Sequence, residues 1–136
     1  MDKMKRYIWI NTEFNATHSW PECPIEEVKF LQHEHRHTFK VRVQIEVEHN
    51  DRAIEFIVFK NFIDRTLRIL YGPGPDYRLG RKSCEDICQD LVNQIYLSPL
   101  VSMSNSDQEC PSQCFRKREL VVEVSEDGEV GARVET

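Results

Sequence analysis

Apolar and polar residues alternate one for one about a third of the way along the chain. Phe39, Val41, Val43, Ile45 and Val47 interleave with Lys40, Arg42, Gln44, Glu46 and Glu48. A period of two sustained over that length predicts a half-buried antiparallel strand from His35 to Glu48. A second alternating run, Arg6 to Thr17, places Ile8, Ile10, Phe14 and Ala16 on one face, with His18 following in the same parity. Between them, Trp20 to Phe30 contains two prolines and reads as a loop with a short helical turn at Ile25 to Phe30. His49 to Asp51 is a turn, after which Ala53 to Val58 is expected to return as a strand.

The period then changes to that of a helix. Phe59, Phe62, Ile63, Thr66, Leu67 and Leu70 predict a helix from Phe59 to Leu70, ended by the GPGP of Gly72 to Pro75. Ser83 is a natural N-cap, with Asp86 three residues on, for a second helix whose apolar face is Cys84, Ile87, Cys88, Leu91 and Ile95. Ser98 to Arg118 is polar and reads as a long loop. Glu119 to Ser125 and Glu129 to Val134 form a hairpin about Asp127-Gly128. The order implies an α+β layer, with helices on one face of an antiparallel sheet.

Composition changes this picture little. The 136 residues suit one domain, 1–136, and a formal charge of −5 with no longer basic run than Arg116, Lys117 and Arg118 argues against a nucleic-acid partner. No run approaches the roughly 18 apolar residues of a membrane helix, and the N-terminus has no secretory pattern, so the expectation is a cytoplasmic protein with no membrane partner. Five cysteines, an odd number, fit poorly with a disulfide framework there. Cys84/Cys88 and Cys110/Cys114 share a spacing, which leaves open a second zinc site of four thiolates; the first pair also suits plain core packing on its helix.

The histidines carry the chemistry. His35 and His37, at i and i+2 on a strand, project from one face about 6.5–7 Å apart along the chain. Both can reach one ion with Zn–N bonds of about 2.0–2.1 Å, and His18 supplies a third nitrogen from the end of the first strand. Three imidazoles with a fourth position open is the arrangement of a catalytic zinc. The other reading is a pair of ordinary surface or core histidines. His33 shares the parity of His35 and His37, and is a substitute ligand, a proton shuttle or a solvated loop residue.

FNATH (Phe14 to His18) followed by HRHTFKVRVQIEV (His35 to Val47) resembles the 6-pyruvoyltetrahydropterin synthase and 6-carboxytetrahydropterin synthase family. IVFKNF (Ile57 to Phe62), Ser83-Cys84-Glu85 and Val122-x-Val124-x-Glu126 continue the likeness in the same order. The resemblance implies a tunnelling fold: a four-stranded antiparallel sheet with two helices on one face, closing into a barrel as a trimer or a stacked hexamer. It implies zinc on His18, His35 and His37, and Glu126 anchoring the ring of a reduced pterin such as dihydroneopterin triphosphate. The implied activity is that of a lyase, by triphosphate elimination with internal redox isomerisation or by side-chain cleavage toward deazaguanine.

Other positions depart from the family pattern. Its usual cysteine position is Leu31, its joint aspartate is Val58, and its Asp-His pair is Asp76-Tyr77. Cys23 is the remaining thiol candidate, so Cys23, Asp76 and Tyr77 are the catalytic residues to examine. General acid–base groups contribute roughly 10²–10⁴-fold each, so the alternative is a non-catalytic zinc-containing relative that binds a pterin- or purine-like ligand.

Overall fold

In a computed structural model, which describes residues 4–98 and 118–136, the chain folds as a five-stranded sheet with two α-helices. The strands are β1 (Arg6–His18), β2 (His35–Val47), β3 (Asp76–Gly80), β4 (Leu120–Glu126) and β5 (Val130–Glu135), and the helices are α1 (Phe56–Tyr71) and α2 (Cys84–Leu97). The sheet order is β3-β1-β2-β4-β5. β1 and β2 pair antiparallel along their whole length, from Arg6 opposite Val47 to His18 opposite His35. A 3-10 segment, Glu26–Gln32, occupies the loop between them. Most of the polar segment from Ser98 to Arg118, with Cys110 and Cys114, lies outside the described residues.

The period-two pattern sorts the faces as the sequence requires. Ile10, Phe14 and Ala16 on β1, Phe39 to Val47 in odd positions on β2, and Leu120, Val122 and Val124 on β4 are buried. They meet Phe59, Ile63 and Leu67 of α1 and Ile87, Leu91 and Ile95 of α2 in one continuous core. α1 lies against β1 and α2 against β4 and β5, so both helices cover the same face. The other face is polar, with Arg42 stacked 4.0 Å over the Trp9 ring.

Two expectations are corrected. Ala53 to Val58 does not return as a strand: α1 starts at Phe56, because the Glu55 carboxylate caps it by accepting from the backbone N–H groups of Ile57 and Val58 at 3.0 and 3.2 Å. Ala53 and Ile54 are buried all the same, as the plug beneath the helix entry. The sheet also has a fifth strand, β3, which runs parallel to β1 from Asn15–Asp76 to His18–Gly80. Buried Tyr77 and Leu79 alternate with exposed Asp76, Arg78 and Gly80, a real period-two signal but only five residues long.

Helix α2 begins as its sequence indicates. The Ser83 hydroxyl accepts from Asp86 N–H at 3.1 Å and the Asp86 carboxylate accepts from Ser83 N–H at 3.0 Å, a complete capping box. Cys84 and Cys88 are buried on its inner face, and the Cys88 thiol donates to the Val122 carbonyl at 3.5 Å. Burial, with a smaller repulsion from Glu126 on Cys84, pushes the two thiols up to about 12 and about 11 from 9.0. Both should therefore resist alkylation in the folded protein at pH 8 and react once it is unfolded. Because the folded-state values are raised, their stabilisation is whole below pH 9.0 and is lost as pH rises toward 11–12. Rapid labelling of native Cys88 at pH 8 would contradict the packing.

Candidate metal centre

At one end of the sheet, the apolar stripe on the core face gives way to imidazoles. Antiparallel register sets His18 opposite His35 and Ala16 opposite His37, so three rings from two strands converge. Their centroids lie 4.5 Å (His18–His35), 5.5 Å (His18–His37) and 5.0 Å (His35–His37) apart. One nitrogen from each ring falls within 4.8 Å of the others. Phe39 closes the floor, its ring roughly perpendicular to those of His18 at 5.1 Å and His37 at 5.9 Å.

Each ring is turned by a hydrogen bond at its far nitrogen. His18 Nδ1 faces the Lys82 carbonyl at 2.9 Å, His35 Nδ1 the His33 carbonyl at 2.8 Å, and His37 Nδ1 the Asp127 carboxylate at 2.8 Å. All three partners only accept, so each Nδ1 carries a proton and each Nε2 is the nitrogen turned toward the other rings. The Nε2 atoms of His18 and His35 are buried and have no hydrogen-bond partner. Glu126 adds a carboxylate oxygen 3.0 Å from His18 Nε2 and another 3.7 Å from His37 Nε2. Three nitrogens placed this closely could hold a metal ion, with each ring backed by an outer hydrogen bond.

Beside the cluster opens a cavity of about 570 Å³, bounded by His18, His35 and Glu126, by residues 81–86 at the start of α2, and by Trp20 and Leu31 from the loop. Its size is that of a small-molecule site. A more open hollow of about 820 Å³ lies elsewhere, along Asn11, Lys40, Arg42 and Arg133. Arg133 there is already paired with Glu123 and Glu135, and no histidine or cysteine lines it.

Of the residues singled out by sequence, His18, His35, His37 and Glu126 come together. Glu126 keeps the inward parity of Val122 and Val124 and lies opposite Phe39. Cys23, Asp76 and Tyr77 are not brought to the cavity. The Cys23 thiol is buried against the Ile25 and Val28 carbonyls of its own loop, at 3.8 and 3.6 Å. Asp76 shares the polar face with Arg36 and pairs with it at 2.7 Å. Tyr77, the next residue, falls on the core face, in an aromatic cluster with Phe14 at 5.2 Å and Tyr71 at 6.4 Å. His33 contributes its carbonyl to the site. Sequence reasoning missed Asp127, which looked like a turn residue only. The Thr38 N–H first, and His37 second, hold its carboxyl below the usual carboxylate range.

No family model matches the sequence, and no curated protein matches it. Solved structures do match in fold. The 6-pyruvoyl tetrahydropterin synthase of Plasmodium vivax is 14% identical, with 98% of this chain and 99% of that chain aligned at a TM-score of 0.64. That of Plasmodium falciparum is 16% identical over 97% and 98%, at 0.62. An uncharacterized protein from Wolinella succinogenes is 15% identical over 97% and 98%, at 0.61. Along almost its whole length, the chain has the α+β tunnelling fold of the 6-pyruvoyltetrahydropterin synthases.

Proposed function

We propose that the protein is a zinc-dependent lyase of the 6-pyruvoyltetrahydropterin/6-carboxytetrahydropterin synthase type, acting on a reduced pterin such as dihydroneopterin triphosphate. The observation that carries this is the convergence of three ring nitrogens, one each from His18, His35 and His37 and within 4.8 Å of one another, beside a cavity of about 570 Å³ that His18 and His35 line. His18, His35 and His37 would hold the metal. Zinc bound there would supply Lewis acidity toward a hydroxyl or carbonyl oxygen of the substrate side chain.

The chain's own groups do the rest. Glu126, inward and anionic, accepts from the N–H edge of the pterin ring, and Trp20 and Leu31 shield one side of the cavity. Glu85 also lines the cavity, and no hydrogen bond or ion pair engages its side chain among the described residues, so it is the carboxylate available for proton transfer. A glutamate is a catalytic residue in the Plasmodium vivax synthase. Strands β3 and β5 form the two sheet edges, and pairing between copies at these edges would close a barrel as a trimer or hexamer. Among the described residues, no helix is long and apolar enough to cross a membrane. A cytoplasmic location belongs to the same proposal.

A second reading, a non-catalytic zinc-containing relative that binds a pterin- or purine-like ligand, has a specific observation behind it. Two ligands of a tetrahedral zinc with bonds of about 2.0–2.1 Å lie about 3.3 Å apart, and Glu126 stands 3.0 and 3.7 Å from two of the histidines. A carboxylate so placed could close the fourth position.

Metal analysis, triphosphate release and calorimetric pterin binding on one preparation separate the readings. The lyase gives one zinc per chain, binding, and turnover abolished by chelation. Zinc and binding without turnover give the relative. Protein without stoichiometric metal removes both.

A further inference from the structure

We infer that Asp127 is a positioning residue of the metal centre, holding the His37 ring with Nε2 toward the cluster and strengthening that nitrogen as a donor. This rests on the reading of the three histidines as metal ligands and adds a residue outside that set. Asp127 sits at the tip of the β4–β5 hairpin, one residue past the inward Glu126. Its two oxygens serve two different donors: Oδ2 accepts from His37 Nδ1 at 2.8 Å and Oδ1 from the Thr38 N–H at 3.0 Å. Its own N–H donates to the Thr38 carbonyl at 2.8 Å. Three contacts thus tie the tip of one hairpin to the ligand-bearing end of β2 and fix the plane of the carboxylate against the imidazole.

The three histidines differ in what stands behind them. His18 and His35 lean on carbonyl oxygens, which are neutral dipoles. His37 alone leans on a carboxylate. A carboxylate behind a ligating imidazole fixes its tautomer and raises its basicity, and losing such an outer partner typically costs about 10–100-fold in metal affinity. Asp127 also adopts a positive φ of 58°, a conformation that Asp and Asn tolerate better than other side chains. One side chain therefore meets both the turn's demand and the ligand's.

Asp127→Asn tests the charge while sparing the turn. His37 and the Thr38 N–H face different oxygens of the carboxylate, so in the same placement the amide turns its NH2 toward one of these two donors. Zinc affinity at pH 7, measured by competition with a chromophoric chelator, should fall about 10–100-fold. The visible spectrum of the cobalt-substituted protein should shift, and the melting temperature of the metal-free protein should stay near wild type. Asp127→Glu, which restores the charge, should recover part of the affinity even if the Asn variant folds poorly. Wild-type affinity in the Asn variant, or equal losses in the Asn and Glu variants, would overturn the role given to Asp127 while leaving the histidine site in place. A wild-type protein without stoichiometric zinc would overturn the site and this inference together.

Discussion

Replacing His35 by alanine should strip the metal from the protein without unfolding it. The ring is attached at the very start of β2, where its Nδ1 bonds only to the His33 carbonyl two residues away. Its loss removes no part of the apolar core between sheet and helices. It does remove one of three converging nitrogens, leaving a site with two imidazoles and Glu126. Structural zinc sites with four ligands bind with about 10–16 kcal/mol at neutral pH, which is about 2.5–4 kcal/mol for each ligand. The expected loss in affinity is therefore roughly 10²–10³-fold, and turnover, where it exists, should disappear with the metal. The melting temperature of the metal-free variant should match that of the metal-free parent. Stoichiometric zinc bound by the alanine variant at unchanged affinity would remove His35 from the ligand set, and with it the case built on convergence.

The histidine cluster was legible because its signals are local. His35 and His37 share a face by strand parity alone, and His18 ends the apolar parity of β1. What the chain does not spell out is the long-range register that sets His18 opposite His35, or the turn geometry that swings Asp127 behind His37. Motif order misleads where faces matter: Asp76 and Tyr77 are neighbours in sequence, and for that reason a strand sends them to opposite sides of the sheet. The misread strand at Ala53 to Val58 has a similar origin. A short apolar run broken only by Glu55 fits either element, and the Glu55 cap decides for the helix. β3 is hidden by its brevity, wedged between Pro75 and the turn at Arg81.

The largest effect on stability should come from Phe39→Ala, because this ring belongs to the core and packs against the histidine cluster at once. Phe39 is wholly buried, stacks on Phe14 across the β1–β2 pair at 5.5 Å, and lies roughly perpendicular to the rings of His18 and His37. Truncating a buried phenylalanine costs about 3–5 kcal/mol, from lost transfer energy and the cavity left behind. Domains of this size are stable by about 5–15 kcal/mol in total, so chemical denaturation should show the loss of roughly a fifth or more of that margin. The floor of the histidine cluster goes with the ring, and zinc affinity should fall in parallel although no ligand has been touched. Phe39→Leu separates the two effects: it refills most of the volume, costs less stability, and removes the aromatic ring against which the imidazoles of His18 and His37 pack. A Phe39→Ala protein with a wild-type unfolding midpoint would mean that the sheet's apolar stripe and the histidine cluster are not the continuous structure described above.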